Sequence, residues 1–486
     1  MNNRLMIISS TFVRYFCSIL SGVILSRGYS KGDFGTFMQA TLWISTISEI
    51  ASMGMPKAVL YFAGRDKYPR NPIYHCLILV ASSSIVATLL TWPAWGMITR
   101  LFNNPALKGM LLLVMLTMPF KIMNISLMNS LVVIGRVGRM SIISSAISPL
   151  ILIGFGLSVY AKAGISAIFI LTLSIEALQT FFFLLILLTA DFEGEWKLDF
   201  GLIKSILAYC GPLMITIGTL LAGKRMDSFL IASYFDPSVF AIYSRGALEL
   251  PFAQLILFNV AAMLMPDIAR FYKEQKNHLI TSLIQSEVKK NSLLLFPAFF
   301  SILLVYKEFI VFLYSEKYVE SAGVFMLYLI LIPIQLFAFD MVIQAMNKST
   351  WVTLSAVISI IVNLLATLGL MNWMGPLAPA MGMLCSIAST ICVNIIVINR
   401  KLGNSLDQWL PWKYLLRLLV LTGVPMAVLL VCKRALPGSS AFKLFFYPTL
   451  YYILIFPMLW KFGFLPDKIT AILRDWKRNV FPRTAG

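Results

Sequence analysis

Runs of about 20 apolar residues follow one another almost end to end through this sequence, joined by short polar stretches. Each run is long enough to cross the hydrocarbon core of a bilayer, where every backbone amide must find its partner inside the protein. The runs therefore read as helices, and the expected fold is all-α, that of a polytopic membrane protein. The 486-residue chain is 59% hydrophobic and only 13% charged, with a mean hydropathy of +0.83, too apolar for a water-soluble globule. One integral bundle is the simplest account.

Windows of about 20 residues, broken at charged, Gly and Pro clusters, place about fourteen helices. Their expected grouping is a first lobe over 1–190 and, after the polar link at 191–202, a second lobe over 203–400. A further pair of helices follows over 401–462, then an amphipathic tail over 463–486. The N-terminus reads as an uncleaved first helix, because Arg14 interrupts the apolar stretch and no small-residue cleavage site stands out before Arg27. The helix count and the excess of Lys and Arg in alternate joints put both termini in the cytoplasm.

The formal net charge of +19 does not point to nucleic acid, because the basic residues are scattered at helix ends and inside helices instead of forming a block. Such a spread suits the positive-inside rule and anionic lipid. Six cysteines lie in or at the ends of apolar segments without a CxxC pair, so neither a metal site nor a disulfide framework is expected. The only histidines are His75 and His278, and no GxxxxGK[ST] loop occurs, so no covalent chemistry or nucleotide use is read. No cofactor is expected, and an H+ or Na+ gradient is the expected energy source. Two stretches, Pro266 to Lys290 and the tail, alternate apolar and basic residues at helical spacing and read as cytoplasmic surface helices. Proline and glycine recur inside helices, as at Gly54 to Pro56, Pro93, Pro119, Pro149, Pro212, Pro297 and Pro333, each a candidate kink.

A shift of about 210 residues lays the two halves over each other. The joint Ile134 to Met140 falls opposite Met346 to Val352, and Met53 to Pro56 falls near Met263 to Pro266. Six helices per half makes this a parallel repeat, two lobes related by a pseudo-two-fold axis along the membrane normal.

Several charges fall within helices, where they are costly unless they face a bundle interior or an aqueous cavity. Ser10, Arg14, Ser18 and Ser21 share a stripe of the first helix, and Thr46, Glu49, Met53 and Lys57 one of the second. Lys121, Glu176 and Asp340 lie in the fourth, sixth and tenth helices. Between Gly211 and Glu249, Lys224, Arg225, Asp227, Arg245 and Glu249 are all intramembrane. Lys224 with Asp227 and Arg245 with Glu249 are spaced as structural pairs or as site residues alike. Arg14 and Arg225 have no acidic neighbour at such a spacing. With Arg417 counted, the basic groups outnumber the acidic, and a cavity so lined attracts an anion.

Leu25 to Phe37 (LSRGYSKGDFGTF), Glu49 to Val59 (EIASMGMPKAV), Met226 to Pro251 and Met265 to Glu274 resemble the polysaccharide or O-antigen (Wzx-type) flippases of the multidrug, oligosaccharidyl-lipid and polysaccharide exporter superfamily. The resemblance covers about the first 400 residues. It implies two six-helix lobes around a vestibule that opens alternately to each side of a bacterial or archaeal cytoplasmic membrane. The implied substrate is undecaprenyl-pyrophosphate-linked oligosaccharide, with membrane lipid and polysaccharide polymerase machinery as partners and a monomer as the working form. Carried over, Arg14, Lys57, Lys121, Lys224, Arg225 and Arg245 would contact substrate. Glu49, Glu176, Asp227, Glu249 and Asp340 would hold them or couple an ion. The last two helices exceed a twelve-helix core and resemble those of lipid II flippases, which implies a groove for the lipid tail along Leu415 to Leu430 and Phe442 to Trp460. The alternatives are a cation or drug antiporter of the same superfamily, against which the basic balance argues, and a membrane glycosyl polymerase or ligase, for which no outside joint is long enough.

Overall fold

The computed structural model describes residues 3–65, 70–190, 197–248, 250, 264–403, 406–435 and 438–465, and these are helical with no strand among them. Two compact units divide the chain, Met1–Ser244 and Arg245–Gly486. The first holds α1 (Asn3–Gly28), α2 (Lys31–Ala51), α3 (Met55–Ala63), α4 (Arg70–Leu101), α5 (Leu111–Val133), α6 (Val137–Tyr160), α7 (Ile165–Leu188), α8 (Phe200–Tyr234) and most of α9 (Pro237–Gly246). The second begins with a helix at 264–273 and continues through α10 (Asn277–Leu304), α11 (Tyr306–Tyr314), α12 (Ser321–Gln335), α13 (Asp340–Ala345), α14 (Ser349–Met374) and α15 (Ala378–Leu402). It ends with α16 (Leu406–Trp409), α17 (Trp412–Ala435) and α18 (Ser440–Lys461).

Ten described stretches are long and apolar enough to cross a membrane, and the bent pair α10 and α11 makes an eleventh. One of the ten, Ser349–Leu402, turns at Gly375 and is two spans, α14 and α15. The segment 31–63 carries Lys31, Asp33 and Glu49 and is interrupted at 52–54, so it falls short on hydropathy but supplies a span as α2 plus α3. The segment that starts with α9 continues into 251–263, outside the described residues. The layout agrees with about fourteen helices. The fold is that of a multi-pass membrane protein.

Three spans are broken where a continuous helix was expected. The second stops at Ala51 and restarts at Met55, because Gly54 takes a left-handed φ of 72° and Pro56 then fits the first turn of α3. The ninth bends by 68° at Val305 with no proline at the bend, and Pro297 lies inside an unbroken α10. The tenth breaks over 336–339, after Pro333. By contrast the helix runs on through Pro93, Pro119, Pro149 and Pro212. The surface helix expected over Pro266 to Lys290 is two pieces, 264–273 and the first half of α10, with residues 277–290 continuing directly into the span. The amphipathic tail lies outside the described residues.

Two joints that the 210-residue shift lays over each other close in the same way, as other helix ends of this chain also do. At the α5–α6 joint, Gly135 has φ 72° and the Arg136 amide donates to Leu131 O at 2.9 Å; at the α13–α14 joint, Asn347 has φ 57° and the Lys348 amide donates to Ile343 O at 3.1 Å. Both are helix ends closed by one left-handed residue and a bond reaching back five residues, the job Gly and Asn do best.

Side-chain caps fix the starts of two helices of the first unit. Ser30 caps α2 by accepting from the Asp33 amide at 3.0 Å, and its hydroxyl donates to Asp33 Oδ2 at 2.7 Å, so SKGD is a reciprocal cap. Asp199 caps α8, and its own amide donates to Nε2 of buried His75 at 3.0 Å, while His75 Nδ1 lies 2.8 Å from Asn71 O. A neutral imidazole with its proton on Nδ1 satisfies both contacts. His75 is thus a clamp that ties the start of α8 to α4.

Candidate substrate and ion-binding groups

In the first unit α8 packs on α2, α3 and α4, which brings Arg225 to the polar face of α2. Its Nη1 donates to Ser45 Oγ and, at 3.2 Å, to Thr46 Oγ1, and its Nη2 meets Glu49 Oε1 at 2.5 Å. Arg225, without an acidic residue three or four positions away on its own helix, thus takes one from α2. The Arg225 side chain is 21% exposed and that of Glu49 42%, so the carboxylate side of the pair is open. Lys57 and Lys224 are exposed. Asp227 is buried and accepts from Tyr243 Oη at 2.8 Å and from Ser228 Oγ at 3.4 Å.

Arg14, half-buried on α1, is satisfied far less well. Its Nη1 points at Met128 Sδ, 3.7 Å away, and its Nε is buried without a hydrogen-bond partner among the described residues. A guanidinium carries five donors, and a thioether sulfur is a weak acceptor. Ser10 and Ser21, on the same stripe, are buried with it, and Ser18 is exposed.

Glu176 on α7 receives the amide of buried Asn124 on α5 at 2.7 Å, and Thr180 Oγ1 lies 2.9 Å from Asn124 Oδ1. Lys121, one turn before Asn124 on α5, is half-buried.

In the second unit the Arg245 guanidinium sits over the Tyr314 ring at 5.3 Å. Burial pushes the Tyr318 phenol up to about 12, with Arg245 pulling the other way. Glu249, the other member of the expected i, i+4 pair, lies outside the described residues. Asp340 opens α13 and accepts from Asn394 Nδ2 at 2.9 Å. A groove of about 1430 Å³ runs where α17 begins and α18 ends. Lys289, Lys413 and Arg417 line it with Asp407, and Leu416, Val420, Val424 and Met458 give it an aliphatic wall. Tyr414 stands at its edge, 5.8 Å from Lys289 Nζ.

Ser45, Asn124, Tyr243, Lys289, Lys413 and Asn394 were missed in sequence. A lone amide in an apolar run, as at Asn124 and Asn394, was the available signal. The rest depend on which helices touch.

A sequence profile of the family described as polysaccharide biosynthesis protein matches residues 24–323. No curated protein matches the chain in sequence. Among solved structures, the lipid II flippase MurJ in an inward closed conformation superposes with a TM-score of 0.72 at 13% identity, covering 94% of this chain and 99% of that one. An inward-facing multidrug resistance MATE family transporter of the MOP superfamily gives 0.64 at 12% identity, over 80% and 94%. A MOP superfamily transporter from Pyrococcus furiosus gives 0.54 at 15% identity, over 82% and 95%. At such identities the likeness establishes the fold, which is the fold of a lipid II flippase and of MOP superfamily transporters.

Proposed function

Because the chain belongs to the polysaccharide biosynthesis protein family, we propose that it is a flippase for undecaprenyl-pyrophosphate-linked oligosaccharide, an O-antigen, capsule or exopolysaccharide repeat unit. It carries this cargo from the cytoplasmic to the outer leaflet of the inner membrane by alternating access, with both termini in the cytoplasm. The observation that carries the reading is Arg14, a guanidinium inside a span with a buried donor that meets no acceptor among the described residues. A cation so placed is costly in lipid and is stabilised by an anion that brings its own oxygens, as pyrophosphate or an acidic sugar does. Arg225 supports the same reading, since the exposed Glu49 carboxylate can yield its place to a ligand oxygen. Lys57, Lys121, Lys224 and Arg245 are the further cationic contacts of this proposal. The groove beside α17 and α18 suits an isoprenoid chain along its aliphatic wall.

The basic excess disfavours export of organic cations. The test uses a strain that depends on this protein for surface polysaccharide. Arg14→Ala and Arg14→Gln are expected to lower surface polysaccharide at least tenfold at unchanged membrane level of the protein. Lipid-linked repeat units should build up on the cytoplasmic side. Normal polysaccharide in both variants would overturn the reading.

A further inference from the structure

The link between the two halves of the chain is tied down where it enters α8. Asn71 and His75 lie one turn apart on one stripe of α4, close to its start. The Lys197 amide donates to Asn71 Oδ1 at 3.1 Å, and the Asp199 amide donates to His75 Nε2 at 3.0 Å. Asp199 is extended, with φ −122° and ψ 102°, and its Oδ1 accepts from the Leu202 amide at 3.0 Å as the cap of α8. Residues 197–199 thus form a strap on α4 that continues into the first turn of α8.

The strap depends on the charge of one ring. His75 is 1% exposed and its Nδ1 lies 2.8 Å from Asn71 O, so Nδ1 carries the proton and Nε2 offers its lone pair. An imidazolium carries N–H groups on both nitrogens. Once His75 is protonated, Nε2 is a donor facing a second donor, the Asp199 amide, and that bond is lost. The positive ring also attracts the Asp199 carboxylate, the group that caps α8.

The other titratable groups at this end are Lys197 of the strap, Arg70 and Cys76 of α4, Arg65 behind α3, Arg136 behind α5, and Lys204 and Cys210 of α8. Among the described residues none of them is bonded to His75, whose partners are Asn71 and Asp199. The end of α2 lies further along α4, where Ser83, two turns beyond His75, donates to Ala51 O at 2.7 Å. Deeper in α8, Tyr209 stacks on Tyr61 of α3 at 4.6 Å and meets the Phe62 ring edge-on at 5.6 Å. Those contacts are indifferent to the charge of His75.

We propose that Asn71, His75 and residues 197–199 form a pH-sensitive strap. With His75 neutral it fixes the start of α8 to α4; protonation of His75 frees the link and the first turns of α8, while the helix from Tyr209 onward stays in place. The bound form is the neutral one, so the strap holds above the range of about pH 5 to 8 in which imidazoles titrate and is lost as pH falls through it. Because α8 also carries Arg225 and the link joins the two halves, acidification on the link's side of the membrane slows transport. That consequence rests on the flippase reading above; the strap itself does not.

The test is hydrogen exchange of the full-length protein in lipid nanodiscs at about pH 8 and about pH 5.5, with labelling times scaled to the intrinsic exchange rate. Protection over residues 197–205 is expected to fall about tenfold at the lower pH, with residues 209–220 unchanged. His75→Gln offers an amide oxygen to the Asp199 amide at any pH, and its protection should be the same at both. Asn71→Ala should lose protection at both pH values and keep the pH response, since the Asn71 carbonyl still orients the ring. If His75→Gln does not fold, His278→Gln decides, because His75 is then the only histidine of the chain and its ring nitrogen shifts report its charge directly. Those shifts should titrate together with the loss of protection. Equal protection at both pH values in wild type, a pH response in His75→Gln as large as that of wild type, or a ring that stays neutral while protection is lost would each overturn the strap. No cargo enters the measurement, so failure of the flippase reading leaves it unaffected.

Discussion

Gly35→Val is expected to leave almost no folded protein in the membrane. A Cβ at Gly35 would stand 1.8 Å from Pro237 O and 2.5 Å from its carbonyl carbon. Both partners are backbone atoms of the first unit, on α2 and at the start of α9, so neither can turn aside as a long side chain would. The helices would have to separate, and α2 carries Ser45, Thr46 and Glu49, the acceptors of Arg225, on the same rod. Overpacking of a close contact costs about 1–3 kcal/mol where side chains can adjust, and more where backbone must move. Gly35→Ala should already lower Tm clearly. Gly156→Ala, on α6 with nothing within 4 Å of the added carbon, should be silent. Size-exclusion profiles of tagged protein from membranes provide the measurement. A Gly35→Val profile like that of Gly156→Ala would show that the helices do not approach so closely.

Much of this architecture was legible because bilayer physics is strict. Length and apolarity alone placed the helices, although α2 begins at Lys31, about six residues before the apolar run that announced it. The left-handed joints at Gly135 and Asn347 surfaced as an aligned repeat. The breaks were read less well, because proline in a membrane helix is tolerated wherever neighbours satisfy the freed carbonyl. Gly54 and Pro56 announced theirs, but Val305 carries no local signal. The carbonyl of Leu304, just before it, is met by a side chain 129 residues away in sequence, a contact that no pattern within the helix could disclose.

The same limit governs the charged residues. Spacing along one helix suggested pairing Lys224 with Asp227, yet Asp227 accepts from Tyr243, and Arg225 finds Glu49 on another helix. Periodicity reports which residues share a face. It is silent on which face meets which helix, and in a span that contact decides whether a charge is neutralised. Arg14 was legible as a problem because its environment stays poor in acceptors after folding.

Lys433→Met is expected to be among the most destabilising single substitutions in the second unit. Its Nζ donates to Leu304 O at 2.6 Å and to Glu308 Oε2 at 2.6 Å, with side chains only 13% and 14% exposed. Leu304 is the last residue of α10, and the 68° bend deprives such terminal carbonyls of helical amide partners. Lys433 therefore closes a broken helix and neutralises the carboxylate just beyond the break. Removing it leaves both unsatisfied, a loss of about 3–5 kcal/mol for a buried pair broken on one side. Replacing both charges together removes the need for either, and Lys433→Met with Glu308→Leu should recover a large part of the loss. Glu308→Gln alone should be milder, since Lys433 keeps the Leu304 carbonyl. The coupling is read from unfolding of the four proteins in one detergent. If Lys433→Met costs as much with Leu at position 308 as with Glu, the pair is incidental and the bend is held by packing. A strong coupling would mean that α17 fixes the elbow of the ninth span, so the helices beyond the twelve-helix core help shape the second unit.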